Sequence, residues 1–275
     1  MNSSNYSITE ICAPYKSLEI SLSLKPVKVP YFTSLEVRST TETIFTRTYS
    51  DFSVTKDLMQ ILAIPDLKIK IFDIGGCVFN QEEFLDRVLE ALKKNNVNIR
   101  SDTLHFHNTT KELTLKNIDL LRNFDPEVLY GIEINTKVSR EVFQEMVETD
   151  QWKKAKKLTM FSSQNARSID NFLHFEKIFL IDYPKISPED CWKIIKSFRH
   201  RDLPIKSFFD ISGTTVEISE VISLYDEPEK CEEKDSEYVQ HIQHFNLKND
   251  LILEIRLYKD KILGRIGTKE SLQYY

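Results

Sequence analysis

The sequence predicts an α/β fold: an irregular series of strand–helix units, preceded by a β segment and followed by a β-hairpin. Three observations carry this. Apolar-x-apolar triplets recur through the middle of the chain, and stretches with helical spacing lie between them. The units run in a simple series, and no strand candidate ends in a Gly-x-Gly-x-x-Gly turn leading into a helix. Before and after the series, residues 18–24, 35–49 and 251–266 read as strands.

The elements follow in order. Leu18, Ile20, Leu22 and Leu24 alternate with polar residues, the period of a half-buried strand. Leu35, Val37, Ile44, Phe45 and Tyr49 lie among threonines and predict further strands, joined by a turn near Thr40–Glu42. Leu58, Ile61 and Leu62 share one face of a helix expected over Lys56–Ala63. From residue 67 strands are expected at Leu67–Ile74, Thr103–His107, Leu129–Asn135, Lys157–Phe161, Lys177–Asp182 and Ile205–Ile211. Helices are expected over 81–94, 114–122, 139–155 and 187–201, with a shorter turn at Ser168–Phe175. Ser187 suits an N-cap and Pro188 the first helical position. Past Ile211, Thr214–Leu224 reads as strand, and Leu251–Tyr258 with Lys261–Ile266 as the closing hairpin. Asp226–Glu237 carries seven acids against two lysines and reads as a solvated loop. The expected organisation is a disordered stretch at 1–14, a β-rich segment at 15–55 and the repeat domain at 56–212. A β extension at 213–267 holds the acidic loop 226–237, and a tail covers 268–275.

The triplets are Phe72-Asp73-Ile74, Leu104-His105-Phe106, Ile132-Glu133-Ile134, Leu158-Thr159-Met160, Ile178-Phe179-Leu180 and Phe209-Asp210-Ile211. Their first residues are spaced by 32, 28, 26, 20 and 31 residues, near the unit of a leucine-rich-repeat-like solenoid. A doubly wound sheet is the competing architecture. In a solenoid the middle residues Asp73, His105, Glu133, Thr159, Phe179 and Asp210 turn away from the core and line the open strand face. They are the candidate partner-binding ladder; a merely solvated sheet face would show the same pattern.

Composition bounds the function. The 275 residues carry a net charge of −5, without the basic surplus of a sequence-independent nucleic-acid binder. Six glycines leave little for phosphate loops. Cys12, Cys77, Cys191 and Cys231 form no Cys-x-x-Cys clamp and read as free thiols of a reducing compartment. The first residues lack a signal-peptide pattern, and no apolar run approaches the roughly 20 residues of a membrane helix. A cytoplasmic or nuclear, membrane-free protein is expected. No Gly-x-Ser-x-Gly elbow occurs, and no spacing selects a Ser, His and Asp set. His105-x-His107 and His241-x-x-His244 have no third ligand nearby in sequence, so neither metal nor cofactor is expected.

Glu148-Thr-Asp-Gln-Trp-Lys-Lys-Ala-Lys-Lys-Leu-Thr-Met160 is the most distinctive stretch. Its Gln151, Trp152, Lys153 and Ala155, followed by Leu158 and Met160, resemble the hallmark of the FTH domain of nematode F-box proteins. Asn171-Phe-Leu-His-Phe175, with His174 and Phe175, then Ile178-Phe-Leu180, is similar to the family's His-Phe segment and its following strand. Asp57–Leu62 with Leu67–Ile69, and the Thr-rich strands of 35–49, resemble the segments preceding that domain. The resemblance covers roughly 35–212 and implies substrate recognition beside an F-box in a ubiquitin ligase. Family members usually begin with that three-helix module, which docks on a Skp-type adaptor. Here strand-like alternation starts at Leu18, and seventeen residues are too few to build it. The F-box is therefore expected to be missing, and Skp-type binding with it.

The expected function is a non-enzymatic protein–protein interaction module with an unidentified protein target. Trp152 is expected to close its helix onto the next strand rather than serve as an interface hot spot. Lys153, Lys154, Lys156 and Lys157 suit a helix C-terminus. Two alternatives remain: RNA binding through Lys153–Lys157, and a small hydrolase or transferase site near His105, His107 and Glu133.

Overall fold

A computed structural model describes residues 12, 17–25, 32–39, 42–49, 53–76, 81–161, 168–225 and 239–272. The chain divides into two compact units, Met1–Ala155 and Lys156–Tyr275. The division falls within the stretch that the sequence pattern groups as one repeat domain.

The first unit contains β1 (Ser17–Lys25), β2 (Phe32–Arg38), β3 (Thr43–Tyr49), α1 (Val54–Leu62), β4 (Lys68–Gly76) and α2 (Gln81–Asn95). It continues with β5 (Ser101–Glu112), α3 (Leu115–Leu121), β6 (Gly131–Lys137), α4 (Arg140–Val147) and α5 (Asp150–Lys154). Its strand order is β3-β2-β1-β4-β5-β6. β1, β4, β5 and β6 are mutually parallel, whereas β2 and β3 pair antiparallel. The order has the numerals of a doubly wound sheet, but antiparallel pairing of β1–β2 and β2–β3 is not that of crossover-linked units, so the competing architecture does not describe it.

Ile69, Phe72 and Ile74 of β4, Leu104 and Phe106 of β5, and Ile132 and Ile134 of β6 are buried. The residues between them are mostly half-buried. Parallel sheets covered on both faces read as continuous apolar runs. This alternation instead marks a sheet with helices on one face and polar side chains on the other. α1 packs on α2, α2 on α3, and α3 on α4. Tyr49 Oη and Arg47 Nη1 both donate to Asp57 Oδ2, at 2.6 and 2.7 Å, and pin α1 against β3.

The second unit contains β7 (Lys157–Met160), a 3-10 turn at Ile169–Phe172, β8 (Lys177–Leu180), α6 (Pro188–His200), β9 (Phe208–Ser212) and α7 (Ile218–Ser223). It ends with β10 (His241–Asn246), β11 (Ile252–Tyr258), β12 (Lys261–Gly267) and α8 (Lys269–Leu272). β7, β8 and β9 are parallel; β12, β11 and β10 add to β9 as an antiparallel run. Ser187 caps α6 by accepting from the Asp190 N–H at 3.1 Å, and Pro188 starts it. Ile194, Ile195 and Phe198 of α6 are buried, and the Phe198 ring meets Phe209 edge-on at 4.9 Å.

Several expectations change. The helix expected over 139–155 is two helices, because Thr149 takes an extended conformation between them. Its hydroxyl donates to Met146 O at 2.7 Å and accepts from Trp152 N–H at 3.2 Å, so one side chain serves both helix ends. Thr214–Leu224 is not a strand; Ile218, Val221, Ile222 and Tyr225 follow helical spacing and α7 forms there. β10 is a strand that the sequence pattern missed, since core-side positions hold His241 and Gln243. The tail contributes the short α8. Of residues 1–14 only Cys12 is described, and it is buried; the acidic segment 226–237 lies outside the described residues. No helix among the described residues is long and apolar enough to cross a membrane.

The hairpin β11–β12 approaches β9 through Gly264. A Cβ there would stand 2.2 Å from the Phe209 ring, so no side chain fits while that ring stays. Gly264→Val is expected to lower the urea unfolding midpoint, at a cost of about 2 kcal/mol. Phe209→Leu in the same chain is expected to recover part of that loss.

Candidate functional site

The Gln-Trp-Lys segment is a structural latch. Trp152 is 1% exposed, and its ring meets Phe143 edge-on at 5.8 Å. Gln151 Nε2 donates to the carbonyls of Arg122 (3.2 Å) and Phe124 (2.7 Å), tying α5 to the chain leaving α3. Ala155 is buried where α5 ends. Lys153 pairs with Glu148 at 2.8 Å, Lys154 with Glu127, and Lys156 with Glu176 at 3.5 Å.

The His-Phe segment is also held by its backbone. Phe175 is buried, and the His174 ring lies 4.0 Å from it. Arg201, just past α6, donates to Leu173 O, to Phe175 O at 3.0 Å and to His174 O at 2.7 Å. Burial pushes its pKa down. The sequence pattern did not single out Arg201; a basic residue after a helix suggests only a dipole contact.

In the first unit the ladder residues stand in register across β4, β5 and β6: Asp73 beside His105, and His105 beside Glu133. His105 Nε2 lies 3.0 Å from Glu133 Oε2, and its Nδ1 lies 4.0 Å from Asp73 Oδ1. Ser21 of β1 donates to Asp73 Oδ2 at 2.9 Å. The same row continues through Glu36 of β2 and Thr46 of β3. The neighbouring row brings His107 Nδ1 within 3.3 Å of Asn135 Nδ2. All three ladder side chains are about a quarter exposed, at 26–28%. The serine bonds the aspartate, two strands from the imidazole, which is not the nucleophile–base–acid order of a hydrolytic triad.

In the second unit Thr159, Phe179 and Asp210 stand in register across β7, β8 and β9. Phe161 meets the Phe179 ring at 6.1 Å. Asp210 is more than nine-tenths buried and pairs with Lys261 through Oδ2 at 2.8 Å. Further along this face Glu254 is buried among His244 Nε2 (3.3 Å), Arg256 Nε (2.9 Å) and Arg265 Nη2 (2.7 Å). Burial opposes its charge, but the bonds from His244, Arg265 and Arg256 outweigh it and take the carboxyl down to about 2. These cations went unnoticed in the sequence; period-two alternation groups Glu254 with Arg256 and Lys261 with Arg265, but only the strand pairing puts the two groups on one face.

His241 and His244 point to opposite faces of β10, the former against Tyr225 and the latter against Glu254. Among the described residues no three His, Cys, Asp or Glu side chains form a group that could hold a metal ion. Cys12 and Cys191 are free and buried, and burial pushes their thiols up to about 11 and about 12, which suppresses the reactive thiolate.

The sequence model of the FTH domain matches residues 82–228, more than half of the chain. The match runs from α2 through α7 and includes both the Gln-Trp-Lys and His-Phe segments. The pieces at 35–49 and 57–69 lie outside it. No curated protein and no solved structure matches the chain.

Gln151→Ala is expected to destabilise the fold by about 2 kcal/mol, since two carbonyls lose their donor. Lys153→Ala, at a solvent-screened pair, is expected to stay within about 0.5 kcal/mol of wild type. Both are read by urea denaturation. Glu254 has a folded pKa below the unfolded value of about 4.3, so its stabilisation is complete above that value and fades as pH falls towards about 2. Stability measured between about pH 5 and 2 is expected to fall less steeply in Glu254→Gln than in wild type, and the variant is expected to be about 3 kcal/mol less stable at neutral pH.

Proposed function

The chain belongs to the FTH domain family, and on that footing we propose that it is a protein–protein interaction module that grips a protein target with the strand faces opposite its helices. One observation carries the proposal. In each unit the parallel strands are laid down in chain order, their apolar residues face the helices, and in-register rows of other side chains line the opposite face. We read this as a leucine-rich-repeat-like strand–helix solenoid, in which the open strand face is the usual binding surface. The family's association with F-box proteins supports a target-recognition role of the kind a ubiquitin ligase needs.

The chemistry of the strand faces favours binding over catalysis. The Asp73–His105–Glu133 row bonds its own members and Ser21 rather than activating a nucleophile. The RNA reading is weakened because Lys153, Lys154 and Lys156 each face a carboxylate. Buried free thiols fit a reducing compartment, cytoplasmic or nuclear.

The test is affinity capture from native cells with wild type and with the double variant Asp73→Lys/Glu133→Lys. The proposal expects a protein captured by wild type to be lost from the variant, while circular dichroism and the urea midpoint stay close to wild type. Capture that survives both this variant and Lys157→Glu/Lys177→Glu, which reverses charge on the strand face of the second unit, would overturn it. Mixed with a Skp-type adaptor, this chain alone is expected to give no 1:1 complex by calorimetry; a stoichiometric complex would show that it carries a docking module.

A further inference from the structure

β3 ends the strand order of the first unit, with β2 on one side and, among the described residues, no strand on the other. The outward N–H and C=O groups of such a strand form a template for a further strand, and edges are usually guarded by lysine, proline, an inward charge or a short length. β3 reads Thr-Ile-Phe-Thr-Arg-Thr-Tyr, without lysine or proline. All but Arg47 are β-branched or aromatic, the residue types that favour pairing. Arg47 is held by Asp57 Oδ2 at 2.7 Å, with its guanidinium 5.1 Å from the Phe45 ring, so the one charge of the strand is already tied down. Thr43, Thr46, Arg47 and Thr48 are exposed, and Ile44 and Phe45 are half-buried.

The strand is also complementary to itself. β1, β2 and β3 pair antiparallel, so one more antiparallel strand continues the same meander. A two-fold axis normal to the sheet keeps each side chain on its face, and opposed residues of an antiparallel pair share a face. The axis must therefore pass where one residue meets its own copy. Centred on Arg47, the pairing sets like charges together. Centred on Phe45, it draws on Thr43 and Ile44, where the register with β2 shifts. Centred on Thr46, its three central pairs fall in the regular stretch that begins at Phe45. Thr46 then meets Thr46, and Arg47 of each copy meets Phe45 of the other. Paired threonines bond through their hydroxyls, and a guanidinium is attracted to an aromatic ring.

We propose that β3 pairs antiparallel with β3 of a second copy of this chain, with Thr46 on the two-fold axis, so that the sheets of two first units become one. This edge is separate from the strand faces, and the proposal is independent of the reading above. Pairing along the strand supplies about six main-chain hydrogen bonds. Little apolar area is buried with them, so the dimer exchanges with monomer, with a dissociation constant on the order of 10 μM.

The experiment is sedimentation equilibrium of the full chain over a range of about 1 to about 200 μM. The mass is expected to rise from that of one chain towards that of two across this range. Thr46→Lys/Thr48→Lys places like charges across the axis and is expected to weaken the dimer at least about tenfold, with circular dichroism and the urea midpoint close to wild type. Register is read by cross-linking in a Cys77→Ser/Cys231→Ser chain, in which only the buried Cys12 and Cys191 remain. Thr46→Cys meets its own copy at about 5 Å between Cα atoms, within disulfide reach, and is expected to cross-link under mild oxidation. Thr48→Cys lies about 14 Å from its own copy and is expected not to. A chain still monomeric at about 200 μM, which would leave this edge to a strand of another protein, would overturn the inference. So would a dimer that the lysine variant leaves intact, or cross-linking as efficient at Thr48→Cys as at Thr46→Cys.

Discussion

Strand register is the constraint on which the rest of each unit depends. Asp73, His105 and Glu133 meet because β4, β5 and β6 keep one register as far as His107; the β5–β6 register shifts only beyond it, between His107 and Glu112. The same pairing turns Phe72, Leu104 and Ile132 toward the helices. A one-residue slip in any of these strands would exchange its core residues for its ladder residues. The polar face is thus a geometric by-product of building the core. Its chemistry could change freely because apolar packing on the other side holds the strands in place.

Helix ends and turns are fixed differently, by single polar side chains that reach several backbone groups. Thr149 serves two helices, Gln151 holds two carbonyls beyond α3, and Arg201 holds three around His174. Each makes its bonds where solvent is scarce, and a buried carbonyl left without a donor is expensive. The segments most recognisable in the sequence are therefore scaffold: Gln151 and Trp152 are buried where they stand and offer no surface to a partner.

Much of the architecture was legible in the residues. The apolar spacing of Phe84, Leu85, Val88 and Leu92 marks α2, and the six triplets mark β4 to β9. What was hidden depends on contacts between distant residues. The break at Thr149 interrupts an apolar period that would otherwise continue from Val142 to Trp152. α7 mixes two periods, and β10 places Gln243 on its core side, which erases the alternation. Of the candidate surface, the ladder positions could be read from alternation alone. The cations of β11 and β12 could not be assigned to the same face until the hairpin was seen to pair with β9.

Gly264 and Phe209 bear on how such a chain can change over generations. The ring of Phe209 is held between Phe198 on one side and the bare Cα of Gly264 on the other. Neither position can enlarge alone, so in diverging descendants their sizes must drift in concert, a bulkier 264 accompanying a slimmer 209. The join between the parallel strands and the hairpin is thereby inherited as one piece, and the buried Asp210 and Glu254 on the opposite face of those strands tie it further.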